Sequence, residues 1–224
     1  MDYLLTLKHL FIEHDRYLYV LHGLQFSLSA TLLAAVLGIL LGIISALFNI
    51  SHYKFLRFIS ILYTDVIRGT PVVVQLMILA NVVFIGILRD VPILFVSSLA
   101  FGINSGAYVS EIIRAGIQSI DKGQMDAAQA LGMSYYTAMK EIIIPQAVKK
   151  ILPPLVSELI TLLKETSVVG FIGGVDLLRA ANIITSQTYR GIEPLLLVGL
   201  IYLMLTSIFT KLMRQIEKRL SISD

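Results

Sequence analysis

The chain has 224 residues, of which 56% are hydrophobic and only 15% charged, and its mean hydropathy is +0.81. Soluble domains carry about 25% charged residues, so this is the composition of a chain solvated by lipid, long enough for about five or six spans of roughly 20 residues each. The 18 basic and 15 acidic residues leave a net charge of +3, too slight for a nucleic-acid surface, and the lack of cysteine excludes disulfides, thiolate chemistry and zinc fingers.

The first 19 residues mix Lys8, Glu13, Asp15 and Arg16 with Leu4, Leu7, Leu10 and Phe11. That pattern predicts an interfacial amphipathic segment rather than a cleavable signal. From Gly23 to Tyr53 there is no Asp, Glu, Lys or Arg, and Leu28 to Phe48 forms the first predicted span. The next stretch, Phe55 to Leu88, would make a helix of about 50 Å, too long for one upright span and too short for two with a loop. Asp65, Arg68, Gly69, Thr70 and Pro71 interrupt it, which predicts one broken or strongly tilted element. The third span is predicted from Val91 to about Ser110, followed by a polar, helix-forming segment from Glu111 to Pro145. Gln146 to about Lys164 resumes an apolar pattern with Glu158 inside it, and Pro194 to Thr210 makes the last span. No linker or repeat divides residues 1–224, which predicts one transmembrane domain.

Orientation follows from Lys and Arg near the span ends. The tail with Lys211, Arg214, Lys218 and Arg219 goes inside, as does the segment with Arg114, Lys122, Lys140, Lys149 and Lys150. Lys54 and Arg57 agree, and fewer basic residues (Lys8, Arg16, Arg89, Arg179, Arg190) remain outside. Five spans, with the N-terminus outside and the C-terminus in the cytoplasm, satisfy every segment, whereas six would put Lys54 and Arg57 outside.

The polar segment holds the most specific pattern: Asp126-Ala127-Ala128, then Gly132, then Ile142-Ile143-Ile144-Pro145. Small residues allow another surface to approach closely, and Gly132 breaks the helix so that a second short helix can turn away from about Ser134. This pattern resembles the EAA signature of ABC-importer membrane subunits, with Asp in place of Glu and Ile in place of Leu before Pro145. Ile67 to Pro71 with Gln75, Ala107-Tyr108 with Glu111 to Ile117, and Leu163 to Ser167 are similar to the polar amino-acid uptake permeases (histidine, glutamine and arginine permeases) of that superfamily. The resemblance implies an all-α type I importer permease that couples to its ATPases through a segment of about residues 116–145, with Asp126, Ala127, Ala128, Gly132 and Pro145 in the coupling element. It implies two ATP-binding-cassette ATPase subunits, a second permease chain (identical or homologous), an extracytoplasmic amino-acid-binding protein and a bacterial cell membrane. No Gly-x4-Gly-Lys-Ser/Thr occurs, so ATP and Mg would be held by the partners and this chain is not itself an enzyme.

Ionisable residues inside a membrane are costly and mark functional positions. Arg68, Asn104 and Glu158 each lie 13 residues from a predicted segment end, about 20 Å deep, which predicts one shared cavity. An amino acid needs an anion site for its carboxylate and acceptors for its ammonium. Asn104 and Ser105 can bind its main-chain polar groups, Thr70 can add a hydroxyl and backbone donors at a broken helix, and Glu158 can accept the ammonium or a cationic side chain. Glu158, where the resembling permeases for basic amino acids tend to carry Glu, tilts the substrate toward Arg, Lys, His or ornithine. Competing structural readings pair Glu158 with Lys164, with Arg68 or with a cation of a second permease chain, pair Arg68 with Asp65 or set it to neutralise helix ends, and make Asn104-Ser105-Gly106 a packing seam. His9, His14, His22 and His52 are not spaced as metal ligands, and no hydrolase motif occurs. A rival function, an ATPase-independent secondary transporter or channel, fits the buried Glu158 but not the long inner segment.

Overall fold

The computed structural model describes residues 3–85 and 91–221, and Arg89, counted above among the outer cations, lies outside them. Among the described residues the fold is helical without strands. The helices are α1 (Tyr3–Phe11), α2 (Tyr17–Ile50), α3 (Lys54–Arg68), α4 (Val72–Ile85), α5 (Ile93–Gln118), α6 (Lys122–Ala130), α7 (Tyr135–Ala138), α8 (Ile144–Glu165), α9 (Leu177–Thr188) and α10 (Ile192–Ser221). Three helical stretches are long and apolar enough to cross a membrane, and the count reaches five if each of two broken helix pairs is one span. The interruption read at Asp65 to Pro71 is the break between α3 and α4. α5 carries the predicted third span on without a break into the polar, helix-forming segment as far as Gln118, because the residues after Glu111 change what the helix faces without breaking its backbone.

The chain divides into two compact units. The first comprises residues 1–35, 71–101 and 161–208. Its core joins Leu10, Val20, Leu177, Ala181, Ile184 and Val198. α1 is therefore docked by Leu10 into a core, a closer association than an interfacial helix lying free would have. Arg16 secures the dock: only 8% exposed, it donates from Nε to Gln187 Oε1 (3.1 Å) and from Nη1 to the His9 carbonyl (3.1 Å). Gly23 lets α2 lie directly on the start of α9, since a Cβ there would stand 2.6 Å from the Asp176 carbonyl oxygen.

The second unit comprises residues 36–70, 102–160 and 209–224. Here α2 and α5 meet through two Gly-x3-Gly pairs, Gly38 with Gly42 and Gly102 with Gly106. A Cβ on Gly42 would lie 3.1 Å from the Gly106 carbonyl, and one on Gly106 would lie 2.9 Å from Leu41 Cβ and 3.4 Å from the Gly38 carbonyl. Small residues at such spacing let helix backbones approach where apolar burial supplies no drive, as in lipid. α3 is bonded to this pair. Ser60 meets Ser45 of α2 (2.9 Å between hydroxyls), Ser110 of α5 donates to the same Ser45 hydroxyl (3.0 Å), and Tyr63 Oη donates to the Ile103 carbonyl (2.6 Å). Further along α3, Arg68 reaches Glu111 of α5.

Gly106→Ala should destabilise the chain by about 1–3 kcal/mol, because the added methyl meets fixed neighbours on α2. Gly199→Ala, where a Cβ would meet nothing within 4 Å, should be neutral or slightly stabilising. Thermal unfolding in detergent, followed by intrinsic fluorescence, separates the two.

Candidate functional site

The residues expected to bind substrate fall into two neighbouring groups. In the first, Asn104 and Ser105 are 3% and 1% exposed on α5. Gly38 of α2 makes room for Ser105, whose Cβ would stand 3.0 Å from a Cβ at Gly38, and the Ser105 hydroxyl donates to Glu158 Oε1 of α8 (2.9 Å). Glu158 therefore meets a hydroxyl here, and not the Lys164 or Arg68 of the competing readings. A half-buried carboxylate held by one neutral donor keeps acceptor capacity for a cation.

Arg68 belongs to the second group. Its Nη1 stands 4.0 Å from Glu111 Oε2 and its guanidinium 5.4 Å from the centroid of the Tyr108 ring. Glu111, in place of the expected Asp65, is the acid it approaches, because α3 ends against α5. Arg114, one turn along α5, grips the same carboxylate: Nε donates to Oε2 at 3.0 Å and Nη2 to Oε1. Arg68, Tyr108, Glu111, Lys150 and Pro154 contribute to the wall of a cavity of about 350 Å³. Asn104, Ser105 and Glu158 do not line it. Thr70 is exposed and turns its hydroxyl onto its own helix, donating to the Val66 carbonyl (2.9 Å). Gly69 N–H bonds the Asp65 carbonyl (2.9 Å), so this donor too serves the end of α3.

The polar segment after α5 folds as its spacing suggests. Asp121 caps α6 by accepting from Gly123 N–H (2.6 Å). Gly132, at φ +84°, closes α6: Met133 N–H bonds the Ala128 carbonyl (3.1 Å) and Gly132 N–H the Gln129 carbonyl (2.9 Å), the paired bonds of a Schellman ending. Ser134 then caps α7, accepting from Thr137 N–H (3.1 Å). A π-helical turn, Met139–Ile143, leads into α8 at Pro145, where the ring has no N–H to continue the regular ladder. Ala128 is buried, whereas Asp126 and Ala127 are exposed beside Leu131 (86% exposed), Tyr135 (58%) and Tyr136 (75%). The inner face is fastened to both long helices: Ile120, Ile143 and Ala147 form a core with Ile117, Met125, Met139 and Ile151 around it. Lys150 Nζ also donates to the Ser119 carbonyl at the end of α5 (2.9 Å).

Sequence reasoning assigned no role to Tyr63, Tyr108, Glu111 or the two glycine pairs. Tyr108 and Glu111 stood inside a quoted pattern, and their i, i+3 spacing on a helix was the available signal. The glycine spacings were visible, but not which helices they join.

Residues 38–222 match the family described as the binding-protein-dependent transport system inner membrane component. The arginine transport system permease protein ArtQ of Bacillus subtilis (strain 168) is 42% identical over 210 residues, covering 92% of this chain and 94% of that protein. A putative glutamine transport system permease protein GlnP of Rickettsia bellii (strain RML369-C) is 38% identical over 208 residues, with 92% and 94% covered. A crystal structure of an amino acid ABC transporter with histidines matches at TM-score 0.87 and 42% identity, over 98% of this chain and 99% of that one. At 15% identity and TM-score 0.78, an inward facing MetNI methionine ABC transporter shares the fold over 93% of this chain. With its helices, its broken span and its Gly132 turn, this chain belongs to the binding-protein-dependent transport system inner membrane component family.

Proposed function

We propose that this chain is the permease subunit of an ATP-driven importer of polar, basic amino acids, in which Glu158 recognises the substrate's cationic group. The observation that carries this reading is the Ser105–Glu158 contact, a carboxylate placed inside α8 beside buried Asn104. The arginine and glutamine permeases among its relatives support amino acids as the substrate class, and the carboxylate favours a cation over a neutral amide. Ser105 and Asn104 orient the substrate's polar groups, and Arg68 stands by to receive an anionic one. Thr70 contributes through the end of α3, which carries Arg68.

In this reading the chain pairs with a second permease, identical or homologous, and two ATPase subunits bind ATP and Mg. An extracytoplasmic binding protein delivers the amino acid. The N-terminus lies outside and the C-terminus in the cytoplasm, which places α6 and α7 on the ATPase side. Asp126, Ala127 and the exposed Leu131, Tyr135 and Tyr136 form the docking surface, with Ala128, Gly132 and Pro145 shaping it. When ATP draws the ATPases together, their motion reaches α5 and α8 through the apolar core beneath α6 and the Lys150–Ser119 bond.

Two outcomes check the reading. In proteoliposomes containing the whole importer, Glu158→Gln should lower ATP-driven uptake of arginine and lysine by about tenfold or more while the complex still assembles, because the charged partner is gone. Normal arginine uptake by that variant would refute it. Gly132→Val places a β-branched residue at a left-handed backbone position, at a cost of roughly 1–3 kcal/mol. It should sharply reduce the ATP hydrolysis elicited by loaded binding protein, with the amount of chain in the membrane unchanged.

A further inference from the structure

Another cavity lies in the first unit, at the corner between α8 and α9. After α8 the chain continues as a 3₁₀ helix, Thr166–Ile172, and turns at Gly173, whose φ of +85° suits glycine. Gly173 N–H bonds the Gly170 carbonyl and Gly174 N–H the Val169 carbonyl, each at 3.2 Å, which closes the turn. Asp176 then caps α9, accepting from Leu178 N–H (2.9 Å) and Arg179 N–H (3.2 Å). The cavity that opens here has about 260 Å³, and Ser167, Phe171, Arg179 and Asn182 contribute to its wall.

Two charged residues line this cavity, and only one is open to a ligand. Asp176 is fully buried with its carboxylate committed to the cap, whereas Arg179 is exposed. Among the described residues the Arg179 guanidinium makes no hydrogen bond or ion pair. Its stem is nonetheless packed: a Cβ on Gly170 would come 3.6 Å from Arg179 Cδ and 3.7 Å from its Cβ. A side chain held this way loses less freedom when it binds. Ser167 and Asn182 add neutral donors to the same wall, and Phe171, 69% exposed, adds an aromatic surface. Arginine and aromatic residues together are the composition of interface hot spots. This donor set calls for an anion, and a planar carboxylate matches the guanidinium fork. A free amino acid fits poorly, because its ammonium would meet no accessible acid among the charged residues of the wall. The volume also falls below the about 300–1,000 Å³ of small-molecule sites. One acidic side chain carried by a protein satisfies both conditions.

We propose that this corner is a docking socket for the amino-acid-binding protein, in which Arg179 grips a surface Asp or Glu of that protein and Phe171 packs beside the pair. In the orientation given above, α8 ends and α10 begins on the outer side, so the corner faces the arriving protein. The inference rests on the importer reading and adds where the delivering partner is held.

The test is the affinity of the purified cognate binding protein, loaded with arginine, for the assembled importer in phosphatidylcholine nanodiscs, followed by biolayer interferometry. Arg179→Gln should raise Kd about tenfold or more, mainly through faster dissociation, as expected when one partner of a sheltered charge pair is removed. Asn182→Asp keeps Arg179 but sets an acid in the same wall, and should weaken binding in the same direction, which keeps the inference testable if Arg179→Gln does not assemble. Arg190, past the other end of α9, is already paired with Glu193 (3.1 Å), so Arg190→Gln should change Kd by less than about twofold. An unchanged Kd in the pocket variants, or equal losses in Arg179→Gln and Arg190→Gln, overturns the inference and leaves the importer reading standing. So does an Arg179→Gln effect that is absent in phosphatidylcholine and present once phosphatidylglycerol is added, because the occupant is then a lipid phosphate. A wild-type importer that binds no loaded binding protein refutes the importer reading itself, and this inference with it.

Discussion

The packing of α2 on α5 through Gly38, Gly42, Gly102 and Gly106 is the constraint on which the rest of the second unit depends. In lipid, two helices gain little from hiding apolar surface, so close contact has to come from shape and from polar bonds between helices. Glycine supplies the shape: the Gly106 carbonyl lies near Gly42, and Gly38 leaves space for Ser105. The polar bonds follow from that proximity. Ser45, Ser60 and Ser110 can share hydroxyls only because three helices converge there, and Tyr63 reaches the Ile103 carbonyl for the same reason. Ser105 is thereby held with its hydroxyl toward Glu158. A larger residue in the glycine seam would disturb the site without touching substrate.

From that fixed point α5 links the candidate site to the inner segment. Its middle carries Asn104 and Ser105, its later turns carry Tyr108, Glu111 and Arg114, and its end is tied to α8 by Lys150 and by the core around Ile120 and Ile143. On the proposed reading, a push on α6 would reach the two helices that bear the candidate substrate groups, because tightly packed interiors transmit displacement instead of absorbing it. The consecutive Pro153 and Pro154 interrupt the regular ladder of α8 between its docked end and Glu158. Interruptions of this kind are where helices bend.

Much of this was legible in the sequence, and what was not has physical causes. The break at Gly69 to Pro71, the turn at Gly132 and the cap at Ser134 are local backbone chemistry, written where it acts. Glu158, Asn104 and Ser105 stood out because polar groups in an apolar run are costly and so few. Where α5 itself ends was not legible from hydropathy, which reports the solvent a helix meets, whereas the backbone continues wherever capping and breaking residues are absent. That Arg68 would approach Glu111 and not Asp65 had no local signal, because the two meet only where α3 ends against α5. Arg16, counted among the outer cations, is buried, since its partners Gln187 and the His9 carbonyl come together only in the folded unit.

The account stands on this chain being a conduit whose energy comes from elsewhere. The most direct measurement is extraction of the tagged chain from its native membrane in mild detergent, with mass spectrometry of what remains bound. The account predicts a P-loop ATPase in stoichiometric amount. A chain that purifies without one, with Asp126 to Pro145 intact, would contradict it and favour an ATPase-independent carrier.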